Sequence, residues 1–241
     1  MLRSTFRTLS WLTIFSVAMG YLESAVVVYL RQIYYPEGFD FPLKAIEPGI
    51  GITEIVREAA TLVMLAGAGI LAGRTKTEKF GFFIFCFAVW DIFYYVFLKL
   101  LLGWPPSLVT WDILFLIPVM WVGPVIGPVI NSLTMIAFAL LISYFTDTNR
   151  QIKIILIEWL FLIAGSMVMI FAYTWDYLRY MLKQNEIFDF FTPSRHREIL
   201  EVASGYVPSR FPWVIFIAGE TLLTAALFFF AVRNKKISSG S

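Results

Sequence analysis

Six long apolar runs, separated by short stretches rich in charge, Gly and Pro, set the pattern of this chain. They fall at about 9–30, 51–73, 80–102, 113–146, 153–175 and 211–233. A bilayer core of ~30 Å needs ~20 consecutive apolar residues per helix, so each run is long enough to cross. The pattern predicts an all-α integral membrane protein, a bundle of six transmembrane helices forming a single transmembrane domain over 1–241. The fourth run is too long for one straight span and is interrupted by Pro118, Gly123, Pro124, Gly127 and Pro128. It is expected to be a half-helix over 112–122 followed by a full helix from about 125, because Pro and Gly break helices and irregular backbone at membrane depth must be shielded from lipid.

The connections predict orientation. Arg3 and Arg7, then Arg74, Lys76 and Lys79, then Arg150 and Lys153, then Arg233, Lys235 and Lys236 mark the two termini and the alternate short loops as basic. By the positive-inside rule both termini are cytoplasmic, as in a bacterial-type inner-membrane protein. The opposite connections are the net acidic 31–51, the short GWPPSLVTWD at 103–112 and the extracytoplasmic segment 176–210. Within that last segment, residues 176–191 are expected to prolong the fifth helix. Thr192 as a cap, Pro193 at the first helical position and Gly205 as a stop then outline an external interfacial helix between spans five and six. The N-terminal run is read as the first span and not as a signal peptide, because it is longer than an h-region and lacks a small-residue cleavage site. The terminal SSGS is set aside.

Composition agrees with this reading and narrows the chemistry. Of 241 residues, 59% are hydrophobic and 15% charged, which is too apolar for a soluble domain of this length. A net charge of +2 spread along the chain implies no nucleic-acid partner. Membrane lipids, and protein partners in a membrane complex, are the partners considered. One cysteine, Cys86, and one histidine, His196, leave no disulfide framework, no Cys/His metal site and no haem ligand set, so neither metal nor cofactor is expected. His196 reads as a surface residue of the interfacial helix.

The remaining chemistry lies in charged residues placed at membrane depth. Glu23, Glu54, Arg57, Glu58, Asp91, Asp112 and Glu220 all fall in the extracytoplasmic half of their spans, whereas Glu158 lies in the inner part of span five. Glu54, Arg57 and Glu58 share one side of a helix at i, i+3 and i+4. On span three Asp91, Tyr94 or Tyr95, and Lys99 line up. On span one Ser16, Gly20, Glu23/Ser24 and Arg31 do the same. A charge at the bilayer centre costs ~2.5–3.5 kcal/mol even on the lenient insertion scale, so these groups must face one another or a wet cavity. On a purely structural reading the charges are polar glue that fixes helix register, with Arg57 paired to Glu54, Glu58 or Asp91 and Lys99 to Asp112. The tripeptide Trp-Asp-(Ile/Tyr) recurs at 90–92, 111–113 and 175–177, with Asp112 read as a helix cap and Asp176 as the end of a span.

Six acids against at most three bases leave some carboxylates without a cation, which favours an outward-facing pocket lined by Glu23, Glu54, Arg57, Glu58, Asp91, Tyr95, Asp112 and Glu220. Such a pocket suits a cation, a proton or a lipid-like ligand. An intramembrane acid–base enzyme acting on a lipid or isoprenoid, and a non-catalytic subunit of a larger membrane complex, are the alternatives; no residue is singled out as catalytic. A self-contained carrier would show paired broken helices, and only the fourth segment is broken. The small residues of MLAGAGILAG at 64–73 suit either a partner helix or packing within the bundle.

Overall fold

Long apolar stretches have no way to satisfy their backbone in lipid except as helices or closed sheets, and this chain takes the first route. In a computed structural model, residues 3–117, 119–148, 152–184 and 204–239 are described. They contain six helices: α1 (Arg3–Tyr34), α2 (Pro48–Ala72), α3 (Lys76–Leu102), α4 (Ile126–Thr148), α5 (Leu156–Lys183) and α6 (Trp213–Ser239). All six are long and apolar enough to cross a membrane, as in a multi-pass membrane protein. Local chemistry sets several ends. Pro48 opens α2. Thr75 and Glu78 form a reciprocal capping box on α3, and Gly103 closes that helix with φ 67°, a left-handed conformation suited to glycine.

The expected half-helix is not one. Instead β1 (Trp111–Phe115) and β2 (Trp121–Pro124) pair as an antiparallel hairpin, with Asp112 opposite Gly123 and a register shift between Ile113 and Phe115. Asp112 therefore lies in a strand and caps no helix. The hairpin satisfies part of its own backbone, and its ends are tied in by Val125 N–H to Thr110 O (3.0 Å) and Ile126 N–H to Leu108 O (2.7 Å). The tight fit at Gly123 and Gly127, where a Cβ would come within 3 Å of Phe211 or Tyr173, sets β2 and the start of α4 against α5 and the segment before α6.

The central element is α3, which packs against α1, α2 and α4. By contrast, α1 and α2 meet each other at few positions. A second unit is the close pair α5 and α6, joined to the rest through α4 and β2. Gly69 and Gly73 explain how α2 sits so near α3: a Cβ on Gly69 would stand 2.5 Å from Phe83 N, and one on Gly73 2.5 Å from Lys79 N. The small residues of 64–73 thus serve packing within the bundle at these two positions, while Gly67 has nothing within 4 Å. The main core lies along α3 and α4, with Leu65, Cys86, Ala139, Ala226 and Phe230 fully buried.

At the end of the molecule that carries the hairpin, Asp176 of α5 ties down the chain leading into α6. Its carboxylate accepts from Tyr206 Oη (2.8 Å), Ser209 N (2.9 Å) and Ser209 Oγ (2.6 Å). Burial and this bond to a carboxylate push the Tyr206 phenol far above its usual range. Helix α5 continues to Lys183, as expected for the start of 176–191. Residues 185–191, the expected interfacial helix at 192–205 up to residue 203, and His196 lie outside the described residues, as does Pro118.

Candidate functional site

The polar stripes predicted on α1, α2 and α3 converge. Ser24 donates to Tyr94 O at 3.0 Å, and a Cβ on Gly20 would touch Trp90 O at 3.0 Å, so α1 lies directly on α3 at this level. Between these helices, α2 and the hairpin is a cavity of about 170 Å³. Its wall includes Glu23 and Arg31 from α1, Glu54, Arg57 and Glu58 from α2, Asp91, Tyr94 and Tyr95 from α3, and Asp112 from β1. Apolar side chains such as Val27, Leu30, Ile113 and Leu114 complete it.

Arg57 is the link between α1 and α2. Its Nε donates to Glu54 Oε2 at 2.8 Å and its Nη1 to Glu23 Oε1, whose other oxygen accepts from Thr61 at 3.4 Å. Of the partners expected for Arg57, Glu54 is found, whereas Glu58 and Asp91 are not ion-paired with it. Glu58 instead accepts the backbone N–H of Leu116, at the end of β1, at 2.9 Å. Asp91 accepts from Ser132 Oγ of α4 at 2.8 Å. Among the described residues neither carboxylate has a basic group within ion-pair distance.

The second basic group is Arg31. Its guanidinium pairs with Asp112 at 3.3 Å and lies 3.8 Å from the Trp104 ring centroid and 4.5 Å from that of Phe39. The expected Lys99–Asp112 pair does not form. Lys99 turns to the end of its own helix and donates to Gly103 O (3.0 Å) and Pro105 O (2.9 Å), where a cation meets unsatisfied carbonyls. Arg31 Nη1, Asp112 Oδ2 and Trp90 Nε1 are buried without hydrogen-bond partners.

Glu220 does not join the cavity. It projects from α6 toward α4, where Asn131 Nδ2 (2.8 Å) and Thr134 Oγ1 donate to it, and Tyr173 Oη donates to Asn131 Oδ1 at 2.5 Å. The sequence pattern gives it the same expected depth as the others, but α6 packs on α4 and α5, away from α1, α2 and α3. Glu158, the exception in depth, has a structural explanation. Both its oxygens accept from Arg233 of α6 (2.8 and 2.9 Å), and Oε2 also takes the Ile155 N–H at 2.9 Å.

Seven of the eight predicted residues therefore line one cavity: Glu23, Glu54, Arg57, Glu58, Asp91, Tyr95 and Asp112. Sequence reasoning placed Arg31 on the α1 stripe and counted it among the bases without assigning it to the pocket, and it missed Trp90, Ser132 and the Leu116 amide. The last has no side-chain signal at all. Five carboxylates and two guanidinium groups line the cavity. In a setting with little water, an unpaired carboxylate is costly, and it is stabilised by taking up a proton or meeting a cation. Among the described residues no three His, Cys, Asp or Glu side chains are grouped so as to hold a metal ion. Comparison with protein-family models, curated proteins and solved structures yields no match, so function rests on this geometry.

Proposed function

We infer that this is a cell-membrane protein of the bacterial inner-membrane type, with both termini cytoplasmic and its carboxylate-lined cavity opening to the extracytoplasmic side. The cavity binds the polar head of a lipid-like molecule. The observation that carries this reading is the pair Glu58 and Asp91, which face one cavity without a basic partner while apolar side chains form much of its wall. A positively charged or proton-donating head would neutralise them, and the apolar walls would take the adjoining chain. A bare cation or proton satisfies the carboxylates alone and leaves the apolar walls without a role.

The seam between α1 and α2 supports entry from the bilayer. These helices touch at few positions, and the Glu23–Arg57 pair and the Thr61–Glu23 bond are their polar bridges. Basic residues at the opposite end, Arg74 before α3 with Lys76 and Lys79 in its first turn, and Lys153 and Arg233 beside one another, support the orientation.

The test is native mass spectrometry of the protein released gently from its source membrane. Wild type should carry a defined small mass, and Glu58→Gln combined with Asp91→Asn should lose it while remaining folded. Retention of the same mass by the double variant would remove the cavity from consideration. Release of the chain with other polypeptides and no small mass would favour the complex-subunit alternative.

A further inference from the structure

A second depression, of about 370 Å³, lies at the hairpin end of the molecule on the other side of Phe39 from the charged cavity; Phe39 lines both. Four aromatic residues from three separate segments line it: Phe39 and Phe41 from the α1–α2 connection, Trp104 from the turn after α3, and Trp111 from β1. Asp40 is its acidic group. The rings are set at steep angles to one another. Phe39 meets Phe41 at 5.5 Å and 67°, and Trp104 at 5.9 Å and 88°. Rings arranged as walls at steep angles, with a carboxylate among them, match the requirements of a cation held by aromatic faces.

Two of these rings already hold a cation. Arg31 lies over Trp104 and Phe39 from the side of the charged cavity, and its own charge is balanced by Asp112. Asp40 is exposed, and its Oδ1 is engaged by the Phe41 N–H at 2.8 Å. A primary ammonium would need several hydrogen-bond acceptors, and Asp40 and Thr110 are the polar side chains in the lining. A methylated ammonium needs none: it is weakly hydrated and presents methyl groups to the ring faces.

We propose that this depression is a binding site for a quaternary ammonium group, held by Phe39, Phe41, Trp104 and Trp111 with Asp40 as counter-charge. The site is separate from the cavity of the proposed function and stands independently of it. The same chemistry is offered by a choline lipid headgroup and by free choline-like solutes.

Saturation-transfer NMR on the purified protein in maltoside micelles tests this, using the N-methyl resonance of choline. Binding should saturate and be displaced by tetramethylammonium. The neutral isostere 3,3-dimethylbutan-1-ol should bind more weakly by about fivefold at least, because it fills the same space without charge. Asp40→Asn keeps the acceptor for the Phe41 N–H and should still weaken choline severalfold; Trp111→Leu should weaken it further. Suppression of the signal in phosphatidylcholine nanodiscs, but not in phosphatidylglycerol ones, would identify a lipid headgroup as occupant. Equal signals in both would identify a free solute. Equal binding of the isostere, or a choline signal unchanged in Asp40→Asn and lost in Glu58→Gln, would overturn the assignment.

Discussion

Glu158 and Arg233 form a two-point ion pair between α5 and α6, Nε to Oε1 at 2.8 Å and Nη2 to Oε2 at 2.9 Å, with the carboxylate almost wholly buried. Removing one member leaves the other without its counter-charge, held only by a backbone group: the Lys153 carbonyl for Arg233 and the Ile155 N–H for Glu158. Glu158→Leu should therefore cost about 3 kcal/mol, whereas Glu158→Leu with Arg233→Met should cost markedly less than the sum of the single changes. A double-mutant cycle of unfolding in detergent would measure this. Additive losses would show that the pair is not coupled.

The glycines of α2 separate close packing from open surface. At Gly69 a Cβ would collide with the α3 backbone at Phe83, so Gly69→Ala should destabilise by about 1–3 kcal/mol through displacement of α2. Gly67→Ala meets open space and should be neutral or stabilise by about 0.5–1 kcal/mol, as Ala does in a helix. Thermal unfolding followed by size-exclusion chromatography distinguishes the two, and equal effects would contradict the α2–α3 contact.

Glu220 lies with Asn131 and Thr134, not in the charged cavity. Glu220→Gln should leave the small mass carried by the protein unchanged in native mass spectrometry. Glu220→Leu, which strands the Asn131 and Thr134 donors, should lower stability by about 1–3 kcal/mol. Loss of the bound mass in Glu220→Gln would mean that the two polar clusters act together.

Cys86 is fully buried in the core between α1 and α3, and it is the chain's sole cysteine. In the folded protein it should resist a maleimide reagent, and it should be labelled as the bundle is unfolded by heat or denaturant. Labelling at full rate under native conditions would show that this part of the core opens readily.

Six helices were legible because a membrane span is a matter of length and apolarity, which sequence displays directly. The hairpin was not. Trp-Asp-Ile-Leu-Phe and Trp-Val-Gly-Pro sit among neighbours on both faces, so they lack the alternation that marks a half-exposed strand and read like part of a helix. The pairings divide in the same way. Arg57 with Glu54 follows from a three-residue step along one helix. Arg57 with Glu23 and Arg31 with Asp112 depend on which helices are neighbours, and depth cannot supply that. The same gap placed Glu220 in the wrong cluster, while helix-end carbonyls diverted Lys99 from Asp112.

The Glu23–Arg57 link also bears on biosynthesis. A chain enters the membrane α1 first, and α1 and α2 have little apolar contact with which to hold together before α3 arrives. Their charged groups nevertheless meet within that first pair of helices. Asp91 of α3 finds Ser132 on α4, and Glu158 of α5 finds Arg233 on α6. Each newly inserted helical pair thus brings a partner for one of its own polar groups, whereas Arg31 of α1 and Glu58 of α2 meet theirs, Asp112 and the Leu116 amide, only once the hairpin after α3 has been made.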